Sequence, residues 1–307
     1  MKVAFDSRPS ADPRGVGRYA RCLLRALRDT GRGEIVETHR PREAYDVFHA
    51  PWMQGAMLRS PCPMVVTLHD LAPLKRRSEQ LRVGMRSRLR HLAVQRAMGV
   101  IVPTKAVADD AVARLDVDRE RLAVIPEAPD AAMYRRRDRE IEGVRERYRL
   151  PERYLLWVGC LRHPDPRKHV DKLALAPRRL PLVLAGPTRQ WAHELPNVTL
   201  TGQVPDDDLA AIYSGAHALV LPSRDEGFGL PAVEALACGT PVAAYGIPPL
   251  REALGERATF VEPGDLPGLI ETAEGIARPA PAPPSWSWED AGRATWNVYE
   301  QAIAACQ

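Results

Sequence analysis

Asp225-Glu226-Gly227-Phe228-Gly229-Leu230-Pro231-Ala232-Val233-Glu234-Ala235-Leu236-Ala237-Cys238-Gly239-Thr240-Pro241-Val242 reads as a strand end, a glycine loop, a short helix and the start of a second strand. Pro231 sits at the head of the helix, where its missing N–H would have had no intrahelical partner. The Ala/Leu/Val/Glu run that follows is made of good helix formers. Gly239 stands where a helix stops in a left-handed conformation, and Pro241 prevents any continuation. Gly227 and Gly229 let the backbone come close to a ligand, and the free N–H groups of the helix start suit a phosphate. Two carboxylates, Glu226 and Glu234, flank this turn. A diphosphate would repel both, so in a binding site each must face something else, and sugar hydroxyls are natural partners. On spacing alone, an ordinary strand–turn–helix connection with a capping acid and a surface acid fits equally well.

Composition bounds the rest. A chain of 307 residues suits two domains, each with its own core. The 45% apolar and 27% charged content is that of a globular protein. A net charge of +4 makes no case for nucleic acid. The five cysteines are scattered and lack CxxC spacing, which argues against zinc and against a disulfide framework. No apolar run approaches the roughly 18 residues that span a bilayer. The sequence opens directly on a strand, Lys2-Val3-Ala4-Phe5, with no signal peptide, so a cytoplasmic protein is expected.

Strand and helix signals alternate along the whole chain, the pattern of doubly wound α/β domains. Strand Lys2–Asp6 leads to a loop with Arg14-Gly15-Val16-Gly17-Arg18-Tyr19, and Tyr19, Leu23, Leu24 and Leu27 then recur at helical spacing. The loop is not GxGxxG, and no acidic residue ends a clear second strand, so a dinucleotide site is poorly supported. Met64-Val65-Val66-Thr67-Leu68 ends in His69-Asp70, which a parallel sheet directs to its ligand-binding edge. There a histidine can hydrogen-bond a hydroxyl or phosphate, or it can form a capping pair with Asp70. Lys75 to Arg96 is basic and helical, and Leu81, Met85, Leu89 and Leu92 are expected to turn inward with the arginines outward. Residues 135–153 are dense in charge and poor in large apolar residues, marking the domain boundary. Beyond Tyr154-Leu155-Leu156-Trp157-Val158-Gly159, the loop Arg162-His163-Pro164-Asp165-Pro166-Arg167-Lys168-His169 gathers cations that suit a diphosphate. Ser287 is expected to cap a terminal helix carrying Ala294, Val298, Tyr299 and Ile303.

Taken together, EGFGLPAVEALACGTPV with seven residues between Glu226 and Glu234, VGCLRHPDPRKH, VVTLHDLAPL and RGVGRY resemble the family 4 retaining glycosyltransferases. The likeness runs over most of the chain and is strongest from Val158 to Asp265. It implies a GT-B architecture, two Rossmann-like domains facing a cleft. Residues 1–150 would form the acceptor side, 151–285 the donor domain, and 286–307 a helix packing back on the first domain. It implies a nucleotide-diphosphate sugar as donor and co-substrate, with no separate cofactor; no metal is expected where the loop cations and the helix terminus carry the diphosphate charge.

By the same resemblance Glu226 and His69 would hold the donor sugar and Lys168 the departing diphosphate, with Arg162 or Arg167 beside it. Glu234 would take the ribose, Val204 would border the base, and Gly15, Gly17 and Gly227 to Leu230 (with Phe228 and Gly229) would lie along the phosphates or sugar. The acceptor would be a glycan, a lipid-linked molecule or a small molecule, and the Lys75–Arg96 helix would touch the inner face of a membrane. VVTLHDL and RGVGRY favour mannosyltransferase-like members and hence GDP-mannose, with UDP-sugars as the alternative. Asp206-Asp207-Asp208 has the look of a metal motif but opens a helix. His49 matches a recurrent position without an assigned role. Glu127-Ala128-Pro129-Asp130 departs from the family's common Asn-Gly-Val-Asp. A nucleotide-sugar binding protein without catalysis and, more distantly, an NAD-dependent oxidoreductase are the other readings.

Overall fold

The computed structural model describes residues 1–12, 15–71 and 85–306. The chain divides into two compact units, Met1–Glu127 with Trp286–Gln307, and Ala128–Ser285.

The first unit is built on a six-stranded parallel sheet in the order β2-β1-β3-β4-β5-β6. The strands are β1 (Lys2–Phe5), β2 (Glu34–Glu37), β3 (Val47–Ala50), β4 (Met64–Thr67), β5 (Gly99–Val102) and β6 (Leu122–Val124). Strands β3, β4 and β5 are buried throughout, as a sheet covered on both faces requires. One face holds Phe48, Val66, Leu68, Val100 and Leu115. The other holds Phe5, Leu23, Leu27, Ile101, Trp296 and Tyr299. The last two come from the terminal helix Trp288–Ala304, so this unit is completed by residues far along the chain. Ser287 caps that helix, its Oγ accepting from the Asp290 N–H at 3.0 Å.

The second unit carries β7 (Leu155–Val158), β8 (Leu182–Ala185), β9 (Val198–Gly202), β10 (Ala218–Leu221), β11 (Val242–Tyr245) and β12 (Ala258–Val261). They form a parallel sheet in the order β12-β11-β10-β7-β8-β9. Each sheet reverses its winding once, between β1 and β3 in the first and between β7 and β10 in the second. In open parallel sheets ligands bind beyond the strand ends at such a reversal.

Several expectations change on this frame. The short edge strand β2 is present and ends on Glu37, which pairs with Arg28 at 2.7 Å. Its Glu-Ile-Val-Glu sequence, polar at both ends, carries little strand signal. The charged stretch 135–153 does not separate the units. Its helix Asp138–Tyr148 lies inside the second unit, where Arg147 and Tyr148 bond Asp208 and Arg136 bonds Asp207. Those pairings give Asp207 and Asp208 a structural role. In the helix Met85–Gln95, Ala93 and Val94 are buried, whereas Leu89 and Leu92 are exposed. The expected inward face was therefore rotated, while Leu81 and the rest of residues 72–84 lie outside the described residues.

Candidate functional site

In the second unit, the reversal point brings together the loops that follow β7 and β10. Asp165 Oδ1 accepts from the Arg167 N–H, and the Asp165 carbonyl accepts from the Lys168 N–H, each at 3.0 Å, folding the first loop into a tight turn. The Arg167 guanidinium also grips Asp165 through both oxygens, at 3.0 and 2.8 Å. Burial opposes the Asp165 charge, but these bonds outweigh it and hold the carboxyl below its ordinary range. His169 adopts a left-handed conformation at φ 48°, a geometry that asparagine and histidine tolerate better than most residues.

Lys168 Nζ then lies 3.4 Å from Glu226 Oε1. Arg167 also approaches Asp225 at 3.8 Å, and its carbonyl accepts from the Arg224 N–H at 2.9 Å, tying one loop to the other. Arg162 is exposed.

Helix Leu230–Ala237 starts from Gly229, left-handed at φ 89°. A Cβ there would sit 2.3 Å from Leu250 Cδ2, so the loop closes this tightly only around glycine. Gly227, Phe228 and Leu230 are buried around it. Glu234 is 3% exposed and Oε2 accepts from the Tyr213 hydroxyl at 3.0 Å. Val204, half-buried, follows β9 and its left-handed Gly202. Two further features of this site lie outside the motifs that the sequence offers. Ser223 Oγ is fully buried without a hydrogen-bond partner among the described residues, directly ahead of the Glu226 loop. Gly186 lets the ends of β7 and β8 meet, since a Cβ on it would be 1.9 Å from the Gly159 carbonyl oxygen. A run of glycines that follow strands was the available signal.

In the first unit the reversal point gathers Asp6 and Trp52. Buried Asp6 accepts from Arg8 Nε at 2.8 Å, Arg8 Nη2 at 2.7 Å and Trp52 Nε1 at 2.9 Å. Burial works against its charge, yet these bonds keep it below its ordinary range. Gly15 and Gly17 belong to the first turn of helix Gly15–Asp29 rather than to a loop. A Cβ on Gly17 would meet the Asp12 carbonyl oxygen at 1.9 Å, so this glycine serves close packing. The helix places Tyr19 edge-on to His69, ring centroids 4.5 Å apart.

Both nitrogens of His69 are engaged. Nδ1 lies 3.1 Å from Glu127 Oε1 and Nε2 lies 3.0 Å from the Pro51 carbonyl oxygen. Burial disfavours its charge, but Glu127, Pro51 and Asp70 together raise its proton affinity above the ordinary histidine value. His49 is buried nearby, with Nδ1 2.6 Å from the Tyr299 hydroxyl and Nε2 2.9 Å from Thr67 Oγ1. Thr67 Oγ1 also lies 3.0 Å from the Tyr19 hydroxyl. Burial drives His49 down to about 3, with the His69 charge adding to the effect.

Comparison with known proteins places this arrangement in a family. Residues 9–132 match the family described as Glycosyltransferase Family 4, and residues 152–278 match Glycosyl transferases group 1. A D-inositol 3-phosphate glycosyltransferase of Mycolicibacterium smegmatis is 30% identical over 300 residues, covering 87% of this chain and 68% of that protein. The chain belongs to the family 4 glycosyltransferases. The O-antigen chain mannosyltransferase B of Escherichia coli is 30% identical over 192 residues, 51% of this chain. The 2-deoxystreptamine glucosyltransferase of Streptomyces kanamyceticus is 29% identical over 208 residues, 62% of this chain. The chain spans only 48% and 54% of the length of these two relatives. Among solved structures, Anabaena HepE in complex with UDP and glucose superposes with a TM-score of 0.69 at 18% identity, covering 99% of this chain and 96% of that one. Sucrose-phosphate synthase from Thermosynechococcus elongatus gives 0.70 at 21% identity, covering 99% and 94%. The fold is that of the GT-B glycosyltransferases.

Proposed function

We propose that this chain transfers a sugar from a nucleotide-diphosphate sugar to an acceptor hydroxyl with retention of anomeric configuration. The observation that carries the reading is the Lys168–Glu226 pair at the reversal point of the second sheet. It sets a cation for a diphosphate beside an acceptor group for sugar hydroxyls. Lys168 stabilises the charge that grows on the leaving diphosphate, an electrostatic contribution that needs no metal. The acceptor oxygen attacks the anomeric carbon on the face from which the diphosphate departs. As the anomeric C–O bond breaks, a diphosphate oxygen takes the acceptor's proton. Glu234 and Val204 are assigned to the nucleoside, Gly227 to Leu230 to the diphosphate or sugar, and His69, like Glu226, to the donor sugar.

GDP-mannose is the first donor to test because mannosyltransferases stand among the relatives. A glucosyltransferase relative and the UDP complex of HepE support UDP-sugars as the second. Nucleotide release from UDP-, GDP- and ADP-sugars, with and without EDTA, measures turnover and the metal requirement together. Glu226→Gln is expected to lower turnover by about a hundredfold or more with folding retained. Unchanged turnover in that variant rejects the site, and melting shifts with nucleotide but no turnover in the unaltered protein support a binding protein instead.

A glycan or lipid-linked acceptor fits the same relatives. Helix Met85–Gln95 exposes Leu89 and Leu92 between Arg88, Arg90 and Arg96, all exposed. Apolar side chains flanked by arginines suit the surface of an anionic membrane. Among the described residues no helix is long and apolar enough to cross one.

A further inference from the structure

Two histidines of the first unit, His49 buried and His69 partly buried, face opposite kinds of partner. His49 has a hydroxyl at each nitrogen, Tyr299 at 2.6 Å and Thr67 at 2.9 Å. A hydroxyl donates or accepts as required, so a neutral ring satisfies both contacts. His69 has no such latitude. The Pro51 carbonyl at 3.0 Å from Nε2 can only accept, and a carboxylate at Glu127, 3.1 Å from Nδ1, would likewise only accept. A neutral imidazole carries one N–H and would turn a lone pair toward one of these oxygens, inside a site where His69 and Glu127 side chains are 17% and 7% exposed. With Glu127 as a carboxylate, only the doubly protonated ring satisfies both; a neutral ring would do so only if Glu127 carried the proton.

We propose that Glu127 is a positioning residue that holds His69 as an imidazolium, with both N–H groups committed, so that His69 supplies a fixed positive charge and cannot act as the base that deprotonates the acceptor. The role rests on the transferase reading for its use, whereas the protonation state rests on the contacts and charges around the ring. The other groups around the ring agree with it. Asp70 adds negative charge, the Tyr19 hydroxyl is held protonated by burial, and His49 stays neutral and so adds no repulsion. An uncharged residue at 127, such as the asparagine common in the family, would not hold the ring in this state.

The test is imidazole 15N NMR on the full chain, labelled at histidine, in the unaltered protein, Glu127→Gln and Glu127→Asp, with nucleotide-release kinetics alongside. At about pH 7.5, where an ordinary histidine is neutral, the unaltered His69 is expected to show two protonated nitrogens. Glu127→Gln is expected to show one, with Glu127→Asp retaining two. Turnover by Glu127→Gln should fall roughly tenfold or more, with the donor KM held within about twofold, and should recover as pH is lowered. A single protonated nitrogen in the unaltered protein, including the case where Glu127 carries the proton, overturns the proposal. Doubly protonated His69 with unchanged kinetics and pH profile in Glu127→Gln overturns the positioning role. Should Glu127→Gln not fold, the unaltered and Glu127→Asp spectra still decide the charge. If no sugar nucleotide is turned over, the transferase reading fails while the spectra still answer for His69.

Discussion

Two histidines of the first unit are expected to couple its stability to pH in opposite directions. His49 is pulled down to about 3 by burial and by the neighbouring His69 charge. Between that value and the unfolded histidine value of about 6.5, the unfolded chain binds a proton that the folded chain does not. The His49 contribution to stability is therefore intact above about pH 6.5 and falls as pH drops toward 3, by roughly 1.4 kcal/mol per pH unit at most. His69 has the opposite sign. Its raised folded value adds stability below about pH 6.5 that is lost as pH rises through that folded value. Chemical denaturation between about pH 6 and pH 4 checks the first effect: His49→Gln should flatten the pH slope by close to one proton, even though it is less stable overall. An unchanged slope would mean that His49 does not resist protonation.

At the scale of elements, the helix Leu230–Ala237 was legible because local chemistry dictates it. Proline lies in its first turn, and Gly239 follows it with φ 75°. The cap at Ser287 was legible for the same reason, its side chain accepting a backbone N–H three residues on. Periodicity misled where tertiary packing decides. Leu89 and Leu92 have the spacing of a buried stripe, but Ala93 and Val94 occupy the interior. Gly17 looked like a ligand loop, although what requires it is the Asp12 carbonyl. The Lys168–Glu226 contact joins loops that follow strands far apart in sequence but adjacent in the sheet, so the sheet order brings it about. The Glu127 partner of His69 was invisible for the same reason, 58 residues away. For the Met85–Gln95 helix, the proposed membrane role predicts that the full chain sediments with vesicles rich in anionic lipid. Leu89→Ser with Leu92→Ser should reduce the bound fraction several-fold while nucleotide release in solution stays the same. Equal sedimentation of both proteins would remove the helix from consideration.

The whole molecule is two units threaded by one chain, and only the second is continuous in sequence. Trp296 and Tyr299 are fully buried in the first unit, and Trp296 Nε1 donates to Thr30 Oγ1 at 2.7 Å. Ending the chain at Ser285 would strip that core of both rings, at roughly 3–5 kcal/mol for each large aromatic lost. The expected result is a first unit open to protease and a second unit, Ala128–Ser285, that still melts cooperatively. Limited proteolysis and calorimetry of the shortened chain would show this, and full protection of both units would contradict it. A further consequence concerns the order of events on the ribosome. Residues 1–127 emerge first but cannot close their core until Trp288–Ala304 have been made. The second unit has its whole sequence in hand before then, so the part of the protein synthesised later is the part that finishes folding first.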